Sequence, residues 1–356
     1  MKTVLIKSSQ KKWLCLSAFL MVMPVWADNP ETQVLNYLVK EKVLPAHSHW
    51  QQASSDFQKT VESFCKKKTS LAGTQEAWRN AQHAWVALQP SLVDINARNT
   101  IGMQASFWPD KRNLVGKQTE AALASGQTLS LDTLKAGSVV LRGLTTSEYL
   151  LFDAQHKADE SARRASLCPL LQLNTTYQSE LSSQIVSLLK QDKVEENLTQ
   201  LPNAQYADAH SALTDLLRTH VTALAVTKKK MSVIANQGDA AAVQLFQAEA
   251  WRAGDTLNSL QASIVASRAQ WDGKGWRSLL VERNAELANR VDAAYAALLQ
   301  KLSAQKTKLE TLLSTAEGRQ QVDALYADLN TLHLLYEKEV AKALGIHLGF
   351  NGTDGD

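Results

Sequence analysis

Residues 316–344 read AEGRQQVDALYADLNTLHLLYEKEVAKAL, and Val322, Leu325, Leu329, Leu332 and Val340 keep to helical intervals that put them on one face. The segment therefore predicts a long amphipathic helix. Leu287, Val291, Leu298 and Leu302 repeat the stripe upstream, and four segments of this kind fill the second half of the chain: Ala207 to Asn236, Asp239 to Ser267, Trp276 to Leu312 and Ala316 to Leu344. Between the first two, Asn236-Gln237-Gly238-Asp239 supplies a glycine exit and an aspartate cap for the next start. Four such rods with short connections make an up-down bundle.

The first half carries the same signal less evenly. Val34, Leu35, Leu38, Val43 and Leu44, then Phe57, Val61 and Phe64, predict a helix broken or kinked at Pro45. Trp78, Ala81 and Trp85 share one face of a second helix from about Gly73 to Leu88, which places the indoles in a core. Pro90 to Thr128 is interrupted by Gly102, Trp108-Pro109, Gly116 and Gly126 and reads as turns and short helices, a kind of segment that is often functional. Helix resumes at Ser130–Lys135, from Ser138 to His156 and from about Asp159 to Leu189, with Cys168-Pro169 near the start of the last or at a kink in it. Asp192 to Tyr206, with Pro202-Asn203, is the linker candidate. The expected fold class is all-α, two packed four-helix-bundle-like domains, spanning residues 28–195 and 196–356 after a leader at 1–27.

Composition agrees. In 356 residues there are 15 glycines and 7 prolines, sparse for strands and turns, and 45% of the residues are hydrophobic, enough for two cores. Lys2, Lys7, Lys11 and Lys12 precede an apolar run from Trp13 to Val25, and Val25-Trp26-Ala27 offers a small-x-small cleavage site, the pattern of a signal peptide cut after Ala27. The expected location is the periplasm. A lipoprotein anchored at Cys15 fits less well, because Lys12, Trp13 and Leu14 lack the small residues of a lipobox. No later stretch approaches the roughly 20 apolar residues of a membrane span. Without the leader, 34 basic residues face 35 acidic ones, near −1, so no bulk basic face remains for nucleic acid. Lys66-Lys67-Lys68 and Lys228-Lys229-Lys230 are short runs that suit helix ends. Cys65 and Cys168 are then the remaining cysteines, and an oxidising compartment makes a disulfide closing a loop of about 100 residues the expectation, two buried thiols being the alternative.

The common catalytic signatures HExxH, P-loop, GxSxG, CxxC and CxxCH are missing from the sequence. Residues 141–152, LRGLTTSEYLLF, stand out, because Gly143 permits close backbone approach, and Thr145 and Glu148 lie three apart on one face. They read either as a ligand or metal site or as a tight helix crossing with Glu148 satisfied by Arg142 or another base. The ending from Leu344 to Asp356 carries the anchors Ile346, Leu348 and Phe350 and so is expected to dock back. Its Asp354-Gly355-Asp356 is far shorter than a calcium-binding loop.

Together these residues resemble the imelysin family, including its M75 peptidase-like and iron-regulated protein A-like members. Gly143, Thr145 and Glu148 match its GxHxxE motif with threonine in place of histidine, and the Trp78…Trp85 helix, the Trp108-Pro109-Asp110 turn and the ending from Leu348 to Asp356 look like the same family. The resemblance implies two helical bundles with a site at their junction, formed by Gly143, Thr145, Glu148, Trp108 and Asp110. It implies an exported, non-catalytic binding component of iron uptake or handling, taking iron or another divalent metal, or an iron-bearing small molecule. Alternatives are a metal-dependent peptidase with Glu148 as catalytic base and a metal held by Glu148 with His156 or Asp153, or a helical scaffold for an envelope protein partner. Loss of the histidine removes one of the three protein ligands that a catalytic transition metal normally needs.

Overall fold

The computed structural model describes residues 29–92, 101–126, 129–156, 158–235 and 245–349, and among them there is helix and no strand. The leader, the turn at Asn236–Asp239 and the ending from Phe350 lie outside the described residues. The first helix of the described residues is α1 (Pro30–Leu38), capped by Asn29, whose side chain accepts from Glu31 N at 3.0 Å. A π-helical turn (Val39–Val43) leads straight into α2 (Leu44–Cys65). Pro45 therefore does not break the rod: the wider turn ahead of it, closed by Leu44 N on Val39 O, absorbs the irregularity expected at the proline.

After α3 (Leu71–Leu88) come a turn of helix at 101–105 (α4), α5 (Leu114–Ala124) and α6 (Leu131–Ala136). The predicted helix from Ser138 to His156 is three pieces instead: a 3-10 turn (Val139–Leu141), α7 (Leu144–Phe152) and a second 3-10 turn (Ala154–His156). Gly143, at φ 83 and ψ −166, breaks it ahead of α7, so the glycine sits at the helix entrance and not in mid-helix. The 31-residue α8 (Ser161–Gln191) holds Pro169 inside it, and Cys168 is bonded there to Cys65, with Cα atoms 5.8 Å apart.

The linker candidate is ordered and carries its own short helix, α9 (Val194–Thr199), with the Asn203 side chain holding the carbonyls of Asn197 and Gln200 at 2.7 and 3.0 Å. Next come α10 (Ala209–Ser232), opened by an Asp208–Ser211 capping box, and α11 (Thr256–Trp271). The predicted rod from Asp239 is thus shorter, because residues 245–255 form a 3-10 turn and a tight loop before it. Trp276–Leu312 likewise divides into α12 (Trp276–Arg283), α13 (Ala285–Ala304) and α14 (Leu309–Leu313), Asn284 capping the second at Leu287 N, 3.0 Å. The last rod is α15 (Ala316–Leu334), a π turn (Leu335–Val340) and α16 (Ala341–Leu344), ended by Gly345 at φ 72. The tail docks as expected as far as it is described: Ile346 is buried, and Arg218 Nε donates to Leu348 O at 3.0 Å.

Among the described residues two large apolar cores result, with a small third cluster of Val115, Val140 and Tyr149. One holds Trp50, Phe57, Phe64, Trp78, Trp85 and the inner faces of α7 and α8. The other collects residues from 198 to 346, and Val34, Leu35, Leu38, Val39 and Val43 join it. The start of the chain, grouped by sequence with the first bundle, thus packs in the second, because its apolar stripe faces α10 and α12. The cores meet where α11 lies on α3. There Gln270 donates to Pro90 O and Ser91 Oγ (3.0 and 2.9 Å), and His220 Nδ1, 2.9 Å away, donates to the Gln270 carbonyl. Ser267 hydrogen-bonds His220 Nε2 at 2.9 Å, and burial holds this imidazole down to about 4, neutral as one donor and one acceptor require.

Candidate functional site

Glu148 is the chemical centre of the junction. It lies in the second turn of α7, only 2% exposed, and its Oε1 accepts from Ala253 N at 3.0 Å. That amide comes from the loop before α11, so the carboxylate of one bundle is held by the backbone leading into the other. Arg142 does not reach it: that guanidinium donates to Lys135 O and Gly137 O, both 3.1 Å. Burial pushes the Glu148 carboxyl up to about 7, opposed by the Ala253 amide and the Arg252 charge.

Gly143 is placed by a close crossing. A Cβ there would meet Gln104 O at 2.6 Å and Ala105 O closer still, so the residue lets α7 start against the backbone of α4. The crossing brings Ser106 Oγ within 3.2 Å of Thr145 Oγ1, where the hydroxyl of Thr145 is spent in a local bond. Trp108 Nε1 donates to Gln247 O at 2.8 Å, and Lys230 Nζ sits 5.8 Å over its ring while pairing with Glu249 at 2.6 Å. Asp110 is buried and accepts from Leu114 N and Val115 N (2.6 and 3.1 Å), which caps α5 and consumes both its oxygens.

Thr145, Glu148, Trp108 and Asp110 thus line one cavity, of about 20 Å³, together with Trp78 and Gln82, whereas Gly143 is not among its lining residues and acts at the α4–α7 crossing. His156 is elsewhere. The helical phase that would have aligned it with Glu148 ends at Phe152, where Asp153 turns extended at ψ 125. His156 is fully buried, edge-on to Tyr149 at 4.7 Å, and its Nε2 lies 3.4 Å from Glu120 Oε1. Desolvation lowers its pKa, which argues for a neutral ring in spite of that carboxylate. Asp153 is held by Arg252 at 3.3 Å. Among the described residues no group of three His, Cys, Asp or Glu is placed to hold a metal ion, so the side chains of the junction do not fit a three-ligand transition-metal site.

Three participants escaped the sequence reading. Gln82 sits one turn beyond Trp78, and Arg252 and Ala253 lie in a stretch read as continuous helix. Gly254 followed by Asp255, an exit and a restart, was the signal available for that loop: Gly254 has φ 61 and Asp255 N donates to Ala250 O at 3.0 Å.

The raised carboxyl predicts a pH effect. A folded pKa above the ordinary 4.5 means that the stability contributed by this proton is full below that value and is lost as pH rises through about 7. Glu148→Gln keeps an acceptor for Ala253 N and cannot ionise. It is expected to match the parent near pH 4.5 and exceed it by roughly 3 kcal/mol at pH 8.5 in urea unfolding. Equal stabilities at both pH values would show that the carboxyl ionises freely.

The imelysin (Peptidase M75) family model matches residues 43–336. An imelysin-like protein from Psychrobacter arcticum 273-4 superposes with a TM-score of 0.74 at 17% identity, over 90% of this chain and 97% of its own. A protein described as an iron-regulated protein A precursor from Parabacteroides distasonis ATCC 8503 gives 0.68 at 15%, over 88% and 95%. At these identities the likeness is one of fold. No curated protein sequence matches the chain.

Proposed function

Because this chain belongs to the imelysin family, we propose that it is an exported, non-catalytic binding protein of the envelope that takes an iron-bearing small molecule at the junction of its two bundles. The observation that carries the reading is Glu148: a buried carboxyl, held by an amide of the second bundle, on a cavity that both bundles line. A buried ionisable group in a cleft, with a strongly shifted pKa, is a candidate for function on physical grounds. The donor set favours an intact solute over a bare ion, since Thr145, Asp110 and Glu249 are already engaged. The described helices include none long and apolar enough to cross a membrane, in keeping with a protein that works beside one. The link to iron rests on the family resemblance and on the name of the Parabacteroides relative.

The purified exported form is expected to carry or bind such a solute, with an upward shift in melting temperature, and Glu148→Ala to weaken binding at least about tenfold, the scale of one lost charge-assisted contact. Undiminished binding by that variant would refute the assignment. One observation favours a second reading, hydrolysis: a carboxyl near 7 suits a general base. That reading requires chelator-sensitive cleavage that Glu148→Ala abolishes, and cleavage that survives the substitution removes it.

A further inference from the structure

Gln82 is only 1% exposed and its Nε2 has no hydrogen-bond partner, although its side chain lines the same cavity as Glu148. The other polar groups there are occupied: Trp78 Nε1 donates to Leu144 O at 2.9 Å, Trp108 Nε1 to Gln247 O, and Asp110 caps α5. A buried amide donor left unpaired is costly, and native proteins answer such a cost with an ordered water or a ligand. The cavity, about 20 Å³, has room for roughly one water molecule.

We infer that this cavity is a subsite for a single oxygen ligand, which accepts a hydrogen bond from Gln82 Nε2 and donates one to the Glu148 carboxylate. In the free protein that oxygen is a water. Thr145 and Ser106 also line this space; their hydroxyls are bonded to each other at 3.2 Å, and a hydroxyl oxygen so bonded keeps a lone pair that can accept the water's second proton, which brings its partners to the two to four a buried water needs. Indoles and phenyl rings at Trp78, Phe107, Trp108, Phe246 and Trp251 enclose it, so one trapped molecule is favoured over open solvent. A solute that enters the junction then displaces this water and presents a hydroxyl or carboxylic acid oxygen in its place, since a group without an acceptor would leave Gln82 unpaired. Gln82 is in this sense a specificity-determining residue. The solute rests on the function proposed above; the water does not.

The test is a high-resolution crystal structure of the exported chain without added solute, together with Gln82→Met, which keeps the length and removes the amide. The expected result is a water peak roughly 2.7–3.2 Å from both Gln82 Nε2 and Glu148. The melting temperature of Gln82→Met should fall by roughly 2–4 °C at pH 8, where the carboxylate loses its solvating partner, and the pH at which stability declines should move upward. A dry cavity, or a rise in melting temperature, overturns the inference, because an unpaired amide exchanged for a thioether removes a desolvation cost. A water peak in a protein that binds no solute upholds the subsite and defeats only the binding function; a bound solute over a dry Gln82 does the reverse.

Discussion

Gly143→Ala is expected to lower stability by roughly 3–5 kcal/mol, a loss reserved for backbone positions that no other residue can occupy. Two effects add. At φ 83 and ψ −166 the residue lies in a region that L side chains rarely adopt, and the new methyl would overlap Gln104 O and Ala105 O, backbone atoms that cannot rotate aside. Relief requires α7 to retreat from α4. The retreat would lengthen the Ser106–Thr145 hydrogen bond of 3.2 Å and pull Glu148 from Ala253 N, so solute binding should fail along with stability. Urea unfolding and binding measured on the same preparation check this, and a variant within about 1 kcal/mol of the parent would mean that the crossing is loose.

Opening the Cys65–Cys168 disulfide should cost about as much. The bond closes 103 residues of chain separation, and the chain-entropy model gives about 4–5 kcal/mol for a loop of that size. It joins the end of α2 to the first third of α8, two helices that also touch through Gln58–Thr176 and Gln51–Ser183 at 3.4 and 3.2 Å. The native contacts therefore persist after reduction and the loss falls on the unfolded state. The double variant Cys65→Ser, Cys168→Ser should show a lower denaturation midpoint while keeping its helical signal, and a change below about 1 kcal/mol would place the bond outside the stabilising framework.

Much of the architecture was legible because helical stripes announce themselves. The Trp78…Trp85 face and the run from Val322 to Val340 needed only spacing, and the pairing of Cys65 with Cys168 followed from setting Cys15 aside with the expected leader and from the expected oxidising compartment. The misreadings share a cause. Residues 245–255 keep apolar side chains at Leu245, Phe246 and Trp251, so they scan as a rod, yet Phe246 and Trp251 line the junction cavity, Leu245 packs on the second core, and the backbone turns under them. Between Ser138 and His156, two backbone torsions that residue spacing does not reveal, at Gly143 and at Asp153, decided the breaks. Thr145 and Glu148 were visible as a pair, but what holds Glu148 is a main-chain amide, and an amide leaves no trace in residue identity. His156 was placed by helical phase beyond the point where the helix stops.

The entry of α1 into the second core means that the molecule cannot be severed into two self-sufficient fragments at residue 195. A piece beginning there would expose the groove that Val34, Leu35 and Leu38 fill, and the complementary piece would carry those greasy side chains unpaired. In chain order α1, ending at Leu38, precedes α10, starting at Ala209, and α12 by about 170 residues or more, and it is covered only once they are in place. Completion of the second bundle therefore draws on α1 as well as on the helices that follow residue 198.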